Sequence, residues 1–434
     1  MLRLLIENIL DRKETIMNEQ ITTLASLTID GKGSYGIGAS AVPFSKDLYT
    51  YLRITDIKDD GTLNLQDLKS VDDVKASEYL LKPNDIVFAR TGASTGRNYF
   101  YDGTDGEFVY AGFLIKFSID GKKVNPKYIK YFCQSKQYKD WINSFNTGST
   151  RGNINAQTLG KMPIPLIERK TQDALVSIIS SIDEKIKKNN AINNNLEQQA
   201  VVLFCSWFTT FCLSSNKPRV NSEFGEIPED FAVVKVGSLP MLVTDYVANG
   251  SFASLKANVN LYQEPNYAYF IRNTDLKSGS FSVFVDQHSY EFLSKSTLYG
   301  GEIIISNVGD VGSVFLCPKL DGRMTLGNNI IMLRPEDDHL RYYLYIWFKY
   351  LQGQALIQGI KGGSAQPKFN KTDFKNTSVL IPPKDILTRF HETVAPMFEM
   401  ISQRQTEIAH LADLRDTLLP KLMSGEIDVS DLNL

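Results

Sequence analysis

Residues 51–58 read YLRITDIK and residues 270–277 read FIRNTDLK, so Arg53, Thr55, Asp56 and Lys58 return as Arg272, Thr274, Asp275 and Lys277. The features around them return in the same order. NDIVFARTGASTG (84–96) returns as GEIIISNVGDVG (301–312): an acidic residue, a β-rich apolar run, then spaced glycines. GSTRGNIN (148–155) returns as GSAQPKFN (363–370), and each copy runs into a proline stop, MPIPL (162–166) or VLIPP (379–383). A shift of about 215 residues is too long for a solenoid and means a duplicated domain.

Within each copy, runs rich in Ile, Val and Phe, broken by Asp-Gly, Pro-Asn and glycine turns, read as strands. Residues 126–144 and 339–357, with Tyr, Phe, Trp and Leu faces, read as helices, so each copy is an α+β domain. After each proline stop comes a long helix, 168–208 or 384–423, free of interior glycine and of proline apart from Pro396 and Pro420. The first carries a heptad-like seam of Leu175, Ile179, Ile182, Ile186, Asn189, Asn193, Leu196, Ala200 and Leu203. The same shift gives Phe390, Val394, Met397, Ile401, Arg404, Ile408, Leu411, Arg415 and Leu418 in the second, and only two positions of each seam are polar. Pro396 is expected to kink or reset the second helix, so that its regular part starts near Met397. With little other helix to cover them, the seams are expected to pack on each other as an antiparallel coiled coil of roughly 60 Å. The expected result is a pseudo-two-fold symmetric chain with a globular domain at either end.

A chain of 434 residues is too long for one ordinary core, and 43% hydrophobic with 22% charged residues is a globular balance. The net charge of −2, from 47 basic and 49 acidic residues, argues at first against nucleic acid, whose partners carry a basic footprint. The distribution reverses that reading. Residues 122–161 hold eight Lys and Arg against Asp140 alone, and residues 341–375 hold six against Asp373 alone, while acid is concentrated in 384–434. The cysteines Cys133, Cys205, Cys212 and Cys317 form no C-x-x-C pair, and the four histidines stand in no ligand spacing to them, so neither a zinc site nor a disulfide framework is expected, and a cytoplasmic setting is. Arg3, Glu7 and Asp11 interrupt MLRLLIENILDRKETI, which fits neither a membrane span nor a signal core. Residues 1–16 read as an upstream extension with Met17 as a start, or as a short amphipathic helix.

Two-fold proteins read half-sites along duplex DNA, and a duplicated chain presents two unlike heads, so two unlike half-sites at a fixed spacing are expected. Catalytic signatures are missing. There is no Asn-Pro-Pro-aromatic motif, and GKGS (31–34) and GASTGR (92–97) depart from the phosphate-loop spacing. Asp183, Glu184 and Lys185 fall on a helix beside the seam and read as a solvated face rather than part of a nuclease site.

The duplication, TQDALVSIISSIDEKI (171–186), DIVFARTG (85–92) and LADLRDTLLPKLMSGEI (411–427) together resemble the specificity subunit of type I restriction-modification systems, from about residue 20 onward. The resemblance implies two α+β target recognition domains, 17–167 and 218–383, with helical regions at 168–217 and 384–434. Each domain would read one half of a bipartite double-stranded DNA target. The helices would set the spacing and dock two modification (methyltransferase) subunits, with restriction subunits joining. S-adenosylmethionine, ATP and Mg²⁺ would sit on those partners, with no cofactor and no catalysis on this chain. One departure stands out: PEDFAVVKVGSL (228–239), the usual opening of a recognition domain, has only the short MNEQITTLASL (17–27) as its nearest equivalent in the first copy.

Affinity for DNA comes largely from phosphate contacts and specificity from base edges. Glycines in the loop after DIVFAR let backbone approach a phosphate, and Arg pairs with guanine as Asn or Gln does with adenine. The candidate DNA contacts are Arg90, Thr91, Ser94, Thr95, Arg97, Thr150, Arg151 and Asn153 in the first domain. In the second they are Asn307, Asp310, Lys361, Ser364, Gln366 and Lys368. Arg53, Thr55, Arg272 and Thr274 recur in both copies and are expected to hold shared scaffold. Phe204, Trp207 and Phe208, with Leu419, Leu422 and Met423, crowd the helix ends on more than the seam; they are expected to meet a partner subunit, core under the adjoining domain being the competing reading. Two other functions remain: a stand-alone DNA-binding or helical adaptor protein, and an enzyme with an unrecognised site.

Overall fold

The computed structural model describes residues 20–65, 67–145, 153–363 and 366–429. Residues 1–16, Thr150, Arg151 and Ser364 lie outside the described residues. The chain divides into two compact units, Met1–Glu184 with Ala412–Leu434, and Lys185–Leu411. Each unit holds one copy of the repeat and part of both long helices.

In the first unit the apolar run Ile86, Val87, Phe88 and Ala89 is buried throughout, as a central strand flanked on both sides must be. That strand, Asp85–Ala89, lies in an antiparallel sheet ordered Ser34–Tyr35, Leu114–Ser118, Asp85–Ala89, Asn98–Tyr101. A second sheet runs Ala41–Pro43, Lys69–Val71, Tyr49–Leu52, Phe108–Tyr110, and its last pairing is parallel. Val87, Tyr99 and Leu114 of one sheet share a core with Leu52, Phe108 and Tyr110 of the other. In the second unit the corresponding sheets are Met241–Asp245, Ile330–Pro335, Ile303–Ser306, Val314–Leu316, and Leu261–Tyr262, Phe284–Val285, Ala268–Ile271, Arg323–Leu326, Thr297–Leu298. The parallel pairing recurs between Ala268–Ile271 and Arg323–Leu326, and one edge strand is added.

The recurring YLRITDIK motif is a structural fork. Arg53 donates from Nε to Asp56 Oδ2 at 3.0 Å and from Nη2 to Oδ1 at 2.6 Å, while its backbone N–H donates to Oδ2 at 2.7 Å. Arg272 and Asp275 repeat this with 2.9, 2.6 and 3.0 Å. Both carboxylates are buried, and a bidentate arginine satisfies them.

The start of the first domain is resolved by pairing. Gln20–Thr23 lies antiparallel to Pro163–Leu166, as Ala232–Lys235 does to Ser378–Ile381. The next amide closes each junction, Leu24 N to Met162 O at 3.0 Å and Val236 N to Thr377 O at 2.9 Å. Residues 20–27 are therefore the counterpart of 232–239. The hairpin of Arg219–Ser222 and Gly225–Pro228 that precedes the second copy has no counterpart among the described residues.

The helices expected at 126–144 and 339–357 are each broken in two. The first divides into Pro126–Phe132 and Lys136–Asn143, because Ser135 turns extended and its hydroxyl caps the amide of Tyr138. The second divides into His339–Lys349 and Leu351–Gly359 at Tyr350, which is extended at φ −130°. The long helices run Arg169–Phe208 and Lys384–Met423. Pro396 does not interrupt the second one. It faces solvent next to exposed Glu392, so the carbonyl it leaves without a donor meets water.

Within the second unit the helices are antiparallel: Asn189 Nδ2 donates to Glu407 Oε2 at 2.8 Å, while Phe204 and Phe208 meet Phe390 at ring distances of 6.0 and 4.9 Å. Within the first unit Asp183 accepts from Arg415, Tyr131 and Lys130, so this carboxylate is an anchor between elements. Of the seam residues, Ile179, Ile182, Leu411 and Leu418 are buried, and Ile186, Leu196, Leu203, Met397, Ile401 and Ile408 are half-buried.

The aromatic residues expected to meet a partner subunit are core in their own chain. Phe204 and Phe208 pack with Tyr343 and Phe390, and half-buried Trp207 lies 5.8 Å from Phe390 with Arg389 over its ring. Leu419, Leu422 and Met423 are likewise buried in the first unit. For Phe204 and Phe208 the helix His339–Lys349, in the same unit, supplies the cover that counting the two long helices alone omits. Among the described residues no helix is long and apolar enough to cross a membrane.

Phe390→Ala should lower unfolding free energy by about 3–5 kcal/mol in urea denaturation, because a fully buried ring leaves a cavity. Burial, with His339 and Arg341 nearby, holds the His391 imidazole below its ordinary value. The unfolded chain then binds more protons, so stability should fall as pH drops from the ordinary histidine range through the lowered folded value, and His391→Phe should flatten that slope in melting curves.

Candidate nucleic-acid interface

The central strand of each first sheet ends at Ala89 or Ser306, and the loop that follows is held by matching bonds. Ala89 N donates to Arg97 O at 2.8 Å and Gly96 N to Ala89 O at 2.9 Å; Ser306 N donates to Ser313 O and Gly312 N to Ser306 O, both at 2.9 Å. A side chain from the second short helix holds the turn in each copy, Tyr138 OH donating to Gly96 O at 2.5 Å and Gln354 Nε2 to Gly312 O at 2.8 Å. Gly96 and Gly312 have φ of 87° and 97°, the left-handed region open to glycine.

The residue after the strand is fixed at both ends. Arg90 N donates to Phe113 O at 3.1 Å, and Arg90 O accepts from Ile154 N at 2.9 Å. Asn307 N donates to Asn329 O at 3.1 Å, and Asn307 O accepts from Phe369 N at 3.0 Å. Thr91 bridges to Asn153 as Val308 bridges to Lys368. Beyond the bridge, the Asn155 and Asn370 side chains cap the short helices Ala156–Gly160 and Lys371–Lys375. The segment behind the Gly/Ser loop is thereby stitched to the strand exit in both domains.

This common frame carries different side chains. Arg90, Phe113, Asn153 and Tyr35 in the first domain occupy the places of Asn307, Asn329, Lys368 and Asp245 in the second; Tyr35 pairs with Ile115 as Asp245 does with Ile331. The Arg90 guanidinium lies 5.0 Å over the Tyr35 ring, whose hydroxyl accepts from Ala156 N at 3.1 Å. In the second domain Asp245 instead accepts from Lys371 at 3.0 Å, and a cleft of about 340 Å³ opens between Asp245, Phe252, Lys256, Asn307 and Asn329.

The sequence candidates divide accordingly. Arg90, Thr91 and Asn153 come together, as do Asn307, Gln366 and Lys368, since Gly309 N donates to Pro367 O at 2.8 Å. Lys361 and Lys368 are exposed, without ion pairs among the described residues. Arg97 turns to Asp59, with Nε to Oδ1 at 2.7 Å, and its charge is neutralised there. Ser94 is buried, and Thr95 Oγ1 donates into the turn at Gly92 O. Asp310 binds Lys277 at 2.6 Å; burial pushes its carboxyl up, but donors from Lys277, Ser313 and Asn273 outweigh that and hold it below the ordinary range. Tyr35, Phe113, Asp245 and Asn329 escape linear reading, because only strand pairing brings them to this surface.

The family described as Type I restriction modification DNA specificity domain matches residues 46–198 and 228–410. The chain is 27% identical over 315 residues to the Type I restriction enzyme MjaIX specificity subunit of Methanocaldococcus jannaschii, covering 71% of each chain. It is 22% identical over 408 residues to the HindI specificity subunit of Haemophilus influenzae, covering 80% of this chain and 87% of that one. The crystal structure of a type I restriction-modification S subunit from M. genitalium superposes with a TM-score of 0.52 at 17% identity, covering 94% of this chain and 96% of that one, and thus shares the fold.

A Cβ at Gly96 would collide with Ile142, whereas the space around Gly92, also at positive φ, is open. Gly96→Ala is expected to cost about 2 kcal/mol or more in urea denaturation and Gly92→Ala about 1 kcal/mol, since only the first adds a steric clash to the backbone strain.

Proposed function

Since the chain belongs to the family of type I restriction-modification DNA specificity domains, we propose that it is the DNA-reading subunit of such a complex, each domain addressing one half of a bipartite duplex target. The observation that carries this reading is the repeated backbone frame with unlike side chains at equivalent places. A shared frame presents each domain to a groove in the same manner, and different side chains then read different bases. Arg90, Asn153 and Lys368 are the types that contact base edges and phosphates.

In this reading the modification and restriction subunits are the partners. They supply S-adenosylmethionine, ATP and Mg²⁺ and carry the N6-adenine methylation and cleavage chemistry in the cytoplasm, while this chain supplies the address. The hydrogen-bonding and cationic groups at the interface are of the kinds that recognise DNA.

Mapping N6-methyladenine genome-wide with and without this gene should reveal one split motif with a fixed non-specific spacer. A contiguous motif, or an unchanged map, would sink the bipartite reading, and turnover by the isolated chain with S-adenosylmethionine or Mg²⁺ would favour an enzyme. In the complex with modification subunits, Lys368→Ala should weaken binding evenly across sequences and reduce the log–log salt slope by about one.

A further inference from the structure

We infer that Arg90 is the residue through which the first domain reads a guanine, and that Tyr35 is its positioning residue. This rests on the DNA-reading role proposed above and adds which base and which side chain.

Among the described arginines of the first domain, Arg53 is committed to Asp56 and Arg97 to Asp59. Arg90 has no carboxylate partner among the described residues, and its Nε is buried without a hydrogen bond. The guanidinium carbon lies over the Tyr35 ring, 5.0 Å from its centroid, and Tyr35 is itself tethered through its hydroxyl to the amide of Ala156. A guanidinium held over an aromatic face by cation–π attraction spends none of its N–H donors there, and the ring restricts its rotamers before any ligand arrives. The main chain beneath is held at both N–H and C=O, so the fork is positioned from both ends.

A fork with two parallel donors fits two acceptors, O6 and N7 of guanine in the major groove or a pair of phosphate oxygens. The neighbours decide between them. Tyr35, 43% exposed, sets an aromatic ring beneath the guanidinium. Such surface suits base edges and thymine methyls, and nothing in it suits phosphates. At the matching places in the second domain Asn307 donates inward to Phe369 O at 3.3 Å, and Asp245, paired with Lys371, offers acceptor oxygens and no donor fork. Guanine reading by this route therefore belongs to one half-site only.

The test uses the complex of this chain with its modification subunits and competes wild-type target against duplexes altered at each base pair. Arg90→Ala should weaken the wild-type target roughly tenfold to a hundredfold and relax discrimination at a single G·C pair in one half-site. Arg90→Lys, which keeps charge and backbone frame, should leave the salt slope unchanged without recovering the bidentate discrimination. Tyr35→Leu should weaken discrimination at that same pair with the salt slope unchanged. An even loss over all sequences with a shallower salt slope would make Arg90 a phosphate contact and overturn the inference. So would relaxation at a pair other than G·C, or an unchanged Arg90→Ala motif with melting temperature preserved. A wild-type complex that binds without sequence preference would overturn the DNA-reading role itself, an outcome distinct from these.

Discussion

A backbone carbonyl leaving a buried central strand must find a donor, because an orphaned one costs about as much as a lost hydrogen bond. In both domains the donor comes from beyond the Gly/Ser loop, Ile154 N for Arg90 and Phe369 N for Asn307. That closure makes the surface. It brings Asn153 beside Thr91 and Lys368 beside Val308, and capping asparagines turn the chain away immediately afterwards. The glycine turns and the donors from Tyr138 and Gln354 hold the same geometry from other sides. Since the frame consists mostly of main-chain bonds, the side chains upon it are free to differ, which is what two unlike readers require.

The aromatic cluster of Phe204, Phe208, Tyr343 and Phe390 has a related consequence. The long helices are not a separate spacer on which the second domain merely sits, because both contribute rings to its core. Lys349 and Tyr345 add a polar tie to Glu197, with Nζ to Oε1 at 2.6 Å.

Several features are legible in sequence because they depend on local periodicity. The duplicated motif, the run IVFA of the central strand and the 40-residue helices need only their own spacing to be read. The breaks at Ser135 and Tyr350 are not, because Tyr/Phe/Trp-rich stretches look continuous until a cap or a neighbouring sheet turns the chain. Pro396 misleads in the opposite direction, since its cost depends on whether the carbonyl it orphans meets water. Phe204, Phe208, Leu419, Leu422 and Met423 look like surplus apolar surface only while the covering domain is unknown.

The interface shows the same division. Its glycines, its arginine and the basic stretches around it are visible in sequence, and so is the fact that the two copies differ. A duplicated α+β chain with paired long helices and two unlike heads can be read from residue order, because repeats and apolar spacing are properties of order along the chain. That Arg97 is neutralised while Arg90 is not, and that the Tyr35 ring lies beneath Arg90, follows from packing in space. Those facts depend on which carboxylate or ring lies within a few ångströms, and strand pairing brings such groups together from distant positions.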